Sequence, residues 1–314
     1  KKRHTKLSKQ YPMIRIILYI SFVLLSALPS FAQLKTEEVN LNNGVIQLPG
    51  TLSYTSEKSP LLIWVHGSGG VERNGNPSKY IHQFREAVNK ENLAFFSYDK
   101  RTANPKNASF LTDILIDDFI SDVEVVIAHF KNDARFTSII LVGHSQGSLL
   151  AMTASKNADK YISVAGAGES IDKTIIRQVT NQNALFGEIT AQHFKELKET
   201  GSIKEVNPNL LSLFAPQNLL FMSSWMEINP VDEIKKVTIP TLIIQGDKDI
   251  QVLILDAENL LKAKPDAQFV IIKNMNHVLK TIEKDEDNLS SYMSDKFPIS
   301  EEFIKVITNF VLKK

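Results

Sequence analysis

Thr137-Ser138-Ile139-Ile140-Leu141-Val142-Gly143-His144-Ser145-Gln146-Gly147-Ser148 is the stretch from which the rest of the chain can be read. Residues 137–143 form an apolar run of strand length, and residues 148–155 continue in a helical pattern. Between them stands Gly-x-Ser-x-Gly, in the strand–turn–helix setting that this motif requires. Such a turn leaves no room for a side chain at Gly143 or Gly147. It lifts the Ser145 hydroxyl above the sheet edge and aims the backbone N–H of Gln146 at the place where an oxyanion would form. The motif alone also fits an ordinary strand–turn–helix corner, so its surroundings must decide.

Upstream, residues 34–58 read as one or two strands with a turn at Asn42-Asn43-Gly44. Residues 60–65 (PLLIWV) and 93–98 (LAFFSY) have the continuous apolar character of buried parallel strands, with a helix expected near 79–89 between them. Residues 111–131 carry apolar side chains at helical spacing. Downstream, strands are expected at 161–168, 238–246 and 268–274, with helices near 251–263 and 300–313. The alternation pauses over 169–230, which reads mostly as helices. The expected fold class is α/β, a mostly parallel central sheet flanked by helices, with a helical cap insertion at 169–230 between core segments 33–168 and 231–314.

A serine hydroxyl needs a base to become a nucleophile. Of the seven histidines, His4 lies in a basic leader, His66 and His144 sit inside glycine motifs, and His82 and His129 fall on expected helices. His193 falls in the insertion, which leaves His277, directly after the last strand, as the candidate base. The imidazole needs an orienting acid, and Gly246-Asp247-Lys248-Asp249 supplies two candidates at the end of the preceding strand. The order Ser…Asp…His is that of strand–turn–helix serine enzymes. The loop His66-Gly67-Ser68-Gly69-Gly70 offers the Ser68 N–H as a second oxyanion donor, with Gly67 allowing close backbone approach.

Composition closes off other chemistries. The chain has 314 residues and no cysteine, which excludes disulfides, thiolate metal sites and a cysteine nucleophile. The first 32 residues hold six basic residues and no acid, leaving 30 Lys and Arg against 35 Asp and Glu in the body. A mildly acidic body gives no electrostatic reason to expect a nucleic-acid partner. No metal-binding, dinucleotide or phosphate-loop motif stands out, so neither metal nor cofactor is expected. Residues 14–32 (IRIILYISFVLLSALPSFA) read as an apolar core followed by a small-residue cleavage pattern. A leader over residues 1–32, cleaved after Ala32, implies export to a periplasm or the medium, with no stable membrane insertion afterwards.

Together these residues resemble the α/β-hydrolase superfamily over about residues 59–312. Within it the chain is similar to bacterial carboxylesterases of the serine aminopeptidase/esterase type. The narrower likeness rests on three features: His66-Gly67-Ser68-Gly69 followed by Arg73-Asn74-Gly75-Asn76; Tyr98-Asp99-Lys100-Arg101; and Ala165-Gly166-Ala167-Gly168 followed by Asp172. The resemblance implies a Ser145, Asp249, His277 triad, which selects Asp249 over Asp247, and oxyanion donors on Ser68 and Gln146. Where relatives usually have Gly after Asp-Lys-Arg, this chain has Thr102. The expected activity is hydrolysis of small, short- to medium-chain acyl esters, with a few of the insertion's apolar side chains lining an acyl pocket and most packing it onto the body. An aminopeptidase or amidase, with Glu169 and Glu188 as candidates to meet a free amine, is the alternative within the fold. A non-catalytic binding protein is the alternative outside it. Oligomeric state is not legible.

Overall fold

A strand buried on both faces must send alternate side chains into two different cores. In Ser59–Val65 (β3), Leu61, Ile63 and Val65 enter one apolar cluster while Leu62 and Trp64 enter another. Phe136–His144 (β5) does the same, with Leu141 on the first side and Ile140 and Val142 on the second. These alternations make the central sheet the middle layer of three.

The computed structural model describes residues 33–313 together with Lys2. The leader expected over residues 1–32 lies, but for Lys2, outside the described residues. Among the described residues the sheet has eight strands in the order β1-β2-β4-β3-β5-β6-β7-β8. Lys35–Asn43 (β1) and Ile46–Tyr54 (β2) form an antiparallel hairpin, and β2 joins Ala94–Tyr98 (β4) antiparallel. From β4 onward every pairing is parallel, through β3, β5, Lys160–Val164 (β6), Thr241–Gly246 (β7) and Gln268–Ile272 (β8). The parallel strands therefore all present their carboxyl ends on one side.

Tyr80–Lys90 (α1) and Glu301–Leu312 (α11) cover the second face with Ile81, Phe84, Val88, Phe303, Ile307 and Phe310. Ile116–Phe130 (α2), Gln146–Thr153 (α3) and Ile254–Ala263 (α9) cover the first. Between β6 and β7 run Ile171–Gln182 (α4), Ala184–Thr200 (α5), Leu211–Phe214 (α6), Pro216–Met226 (α7) and Pro230–Ile234 (α8). A short helix, Asp287–Ser291 (α10), follows β8. No described helix is long and apolar enough to cross a membrane.

Several elements are shorter than their sequence patterns suggest, among them the strand expected over 238–246, which begins at Thr241. The helix expected from 111 begins at Ile116, because Pro105–Phe110 forms a separate 3₁₀ turn and Asp113 has φ 55°. The strand expected over 161–168 stops at Val164, because Ala165 turns the chain with φ 50°.

Candidate active site

Ser145 sits between β5 and α3 with φ 54° and ψ −122°, outside the relaxed regions for a residue with a β-carbon. Strain of this kind costs about 1–3 kcal/mol and must be held by its surroundings. Its N–H donates to the Val164 carbonyl at 2.9 Å, and its own carbonyl accepts from the Ser148 N–H at 2.9 Å. Both flanking glycines are sterically required. A β-carbon on Gly143 would lie 2.4 Å from the Gly147 carbonyl oxygen, and one on Gly147 would lie 2.1 Å from that of Val65. The loop after β3 also packs closely, though less so: a β-carbon on Gly67 would be 3.2 Å from Ser145 Cβ.

On one side of Ser145 stands a buried acid–imidazole pair. Asp249 Oδ2 accepts from His277 Nδ1 at 2.8 Å and from Gln245 Nε2 at 3.2 Å. Asp249 Oδ1 accepts the backbone N–H groups of Gln251 and Val252 at 2.8 and 3.0 Å. Burial would raise the Asp249 carboxyl, but the His277 partner and the two backbone donors hold it below the usual carboxylate range. Asp247 does something else: its exposed side chain accepts the Asn274 N–H at 2.6 Å and shapes the turn after β8. Asn276, next to His277, donates to Asn288 and Ser291 on α10 at 3.0 and 2.7 Å, which anchors the loop. His144 braces the same loop, its Nε2–H donating to the His277 carbonyl at 2.7 Å. Among the described residues the direct bond within the Ser145, Asp249, His277 trio runs between Asp249 and His277. The His144 and His277 rings lie 4.7 Å apart, which brings the imidazole to the elbow.

On the other side, the segment after β4 distributes its charged side chains to three tasks. Asp99 takes Arg73 in a two-pronged bond, with both contacts at 3.0 Å, tying down the loop after β3. Arg101 grips Asp122 on α2 at 2.7 and 2.8 Å. Lys100 reaches inward to Gly67 and Gln146, at 2.6 Å to each. Thr102 donates to the Gly69 carbonyl at 3.2 Å and so holds the same loop. His66 donates from Nε2 to the Tyr98 carbonyl, and burial pushes its imidazole down to about 3, so it is neutral.

Ser145, Ser68 and Gln146 open onto a cavity of about 430 Å³. That volume suits a small ligand. Its apolar wall includes Phe119, Phe221, Met222 and Trp225, with Phe221 edge-on to Phe119 at 5.4 Å between ring centres. Of the insertion's apolar residues, Phe194, Leu210 and Phe214 are instead packed into the core, and Leu185 and Leu211 are exposed. Glu169 lines the cavity, but Arg177 pairs with it and with the fully buried Asp256, at 2.6 Å to the latter. Glu188 is exposed and does not line the cavity. The two carboxylates considered for a free amine are thus not assembled as an anionic site.

Sequence reasoning singled out Lys100 as part of a motif without a task, and passed over His144, Gln245 and Asn276. The available signal for Lys100 was its place directly after an apolar strand, where side chains of adjacent parallel strands converge. The role of His144 depends on a partner 133 residues away, and that of Asn276 on a short helix whose fold-back the sequence pattern does not show.

A family model described as BD-FAE matches residues 48–263. The esterase EstD of Thermotoga maritima is 23% identical over 245 residues, covering 74% of this chain and 58% of that protein, so the chain spans little more than half of this relative's length. Among solved structures, Est1E from Butyrivibrio proteoclasticus superposes with a TM-score of 0.58 at 18% identity, over 88% of this chain and 99% of that one. The Pyrococcus furiosus esterase Pf2001 gives 0.60 at 16% identity, over 90% and 93%. A bromoperoxidase from Bacillus anthracis gives 0.55 at 14% identity, over 88% and 100%. Likenesses this distant speak for the fold alone, and one fold carries several chemistries. The family match covers well over half of the chain, which belongs to the BD-FAE family and has the α/β-hydrolase fold.

Proposed function

We propose that the chain is a serine carboxylesterase acting on short- to medium-chain acyl esters. The observation that carries this reading is the buried Asp249–His277 pair at 2.8 Å, set beside a strained Ser145 that opens onto the cavity. His277 Nε2 takes the Ser145 proton as the hydroxyl attacks the ester carbonyl. The Ser68 and Gln146 N–H groups receive the oxyanion of the tetrahedral intermediate. Collapse expels the alcohol, protonated by His277, and leaves an acyl-enzyme. Water, activated by the same imidazole, then releases the acid. Helices α4 to α8 act as a cap, with Phe221 and Trp225 lining the acyl side. The esterase relatives support the activity. The ferulic acid seen bound to Est1E accords with an aromatic wall that accepts flat acyl groups. Residues 14–32 support export of the mature enzyme.

The test is hydrolysis of nitrophenyl esters of two to twelve carbons by the chain and by Ser145→Ala. We expect turnover that peaks on short to medium acyl groups and falls by several orders of magnitude in the variant. Equal turnover by both would remove Ser145 as nucleophile. An inert chain would return the amidase and binding-protein readings.

A further inference from the structure

The sheet order places β3 between β4 and β5, so the carboxyl ends of these three strands are neighbours. Ser68 follows β3, Gln146 follows β5, and Lys100 follows β4. The Lys100 side chain is buried and its Nζ donates to the Gly67 carbonyl and to Gln146 Oε1, each at 2.6 Å. The Phe119 ring lies 4.9 Å away, giving the ammonium a third attractive neighbour.

We propose that Lys100 is the positioning residue of the oxyanion hole, one ammonium that orients both donor segments and charges the pocket wall behind them. This rests on the esterase reading above. The geometry is specific. The Gly67 carbonyl and the Ser68 N–H belong to a single planar peptide unit and point in opposite directions. An ammonium bound to the carbonyl fixes the plane of that unit, and so the direction of the N–H. It also polarises the unit, which makes the N–H a stronger donor. Because an ammonium only donates, it also dictates which end of the Gln146 amide faces it. Gln146 is the residue whose backbone N–H supplies the second proposed donor.

Simple structural bracing does not account for a charge here. Among the described residues Lys100 forms no ion pair. Asp122, whose field reaches it, is taken by Arg101 through both carboxylate oxygens. Burial accordingly pushes the Lys100 ammonium down to about 7, so the charged form prevails below neutral pH and the kinetic comparison is made at about pH 6. Burying a cation without a bonded counterion is expensive. A neutral donor could hold the two loops at lower cost. An ammonium adds positive potential on the side where negative charge develops during attack.

The experiment compares the full chain with Lys100→Met and Gln146→Leu on nitrophenyl butyrate, adding inhibition by a butyl trifluoromethyl ketone. The ketone forms a tetrahedral adduct whose oxygen occupies the oxyanion position. For Lys100→Met we expect kcat to fall about 10- to 100-fold, somewhat less than for loss of a direct donor. KM should stay within about threefold, and ketone affinity should weaken in parallel with kcat/KM. Gln146→Leu keeps the backbone N–H and loses one anchor. It should show the same pattern at about 3- to 10-fold, and it decides the matter if Lys100→Met does not fold. Unchanged kcat overturns the proposal. So does a raised KM with kcat intact, which would make Lys100 a substrate contact. Lost kcat with unchanged ketone affinity would leave it a structural brace only. A parent chain inert on every ester sinks the esterase reading itself, and this proposal falls with it.

Discussion

The two flanks of Ser145 are built on opposite electrostatic plans. On the His277 side a buried carboxylate is saturated by four hydrogen bonds, one of them from the imidazole. On the Ser68 side a buried ammonium is held by two neutral oxygens and a ring face. Each flank carries the sign that its own half of the reaction calls for. In the proposed reaction His277 would become a cation on accepting the serine proton, with Asp249 hydrogen-bonded to it, and the substrate oxygen would become an anion, with Lys100 behind its proposed donors. Fixed charges of this kind are in place before the reaction and need not reorganise during it. The two flanks also share a feature, since each is buttressed by a buried neutral imidazole, His66 on one and His144 on the other.

Breaking the anionic flank should have the largest effect. Asp249→Asn keeps the shape but removes the charge under His277 and disturbs its tautomer. We expect kcat to fall by about 10³- to 10⁴-fold. Asp247→Asn, two residues away, should change kcat by less than about threefold, because its partner is the Asn274 N–H rather than the imidazole. Equal losses in the two variants would erase the distinction between them. The cationic flank should respond about tenfold or more below Asp249→Asn, through Lys100→Met.

The smallest effect concerns stability and bears on what the flanks share. His66 and His144 are each pushed down from 6.5 to about 3, in both cases chiefly by burial. The unfolded chain therefore binds protons that the folded chain refuses. The stabilisation is fully present above about pH 6.5 and is lost progressively as pH falls toward 3. Asp249, held low in the fold, adds to the same trend below the ordinary carboxylate range. Thermal midpoints measured from about pH 8 to pH 4 should fall throughout, first because the folded chain holds Lys100 at about 7 against 10.5 unfolded and then more steeply below about 6.5; that second fall should be shallower in His144→Phe, which keeps an aromatic ring beside Trp64. A midpoint that rises toward acid would contradict neutral buried imidazoles.

The anionic flank was more legible in the sequence than the cationic one, for a physical reason. Gly143, Ser145 and Gly147 are close in sequence, and their turn is dictated by local sterics. His277 could be found by elimination, because it alone among the histidines follows the last strand. Choosing Asp249 over Asp247 needed family likeness, since both side chains leave the same turn and only the fold shows which meets the imidazole. Lys100 was visible as a charged residue at a strand end. Its partners could not be named without knowing that β3 lies between β4 and β5. The cavity wall was the least legible. Phe214, Phe221 and Trp225 are all apolar residues in helical segments that join one apolar cluster, and only tertiary packing brings the last two to the cavity wall as well.

The central claim is that Ser145 is made nucleophilic by the Asp249–His277 pair. It is tested most directly by treating the full chain, Ser145→Ala and Asp249→Asn with a fluorophosphonate and mapping the adduct by mass spectrometry. We expect one phosphonyl group per chain on the peptide that contains Ser145, none in Ser145→Ala, and labelling slowed by orders of magnitude in Asp249→Asn. An adduct on another residue, or labelling at the same rate in Asp249→Asn, would contradict it.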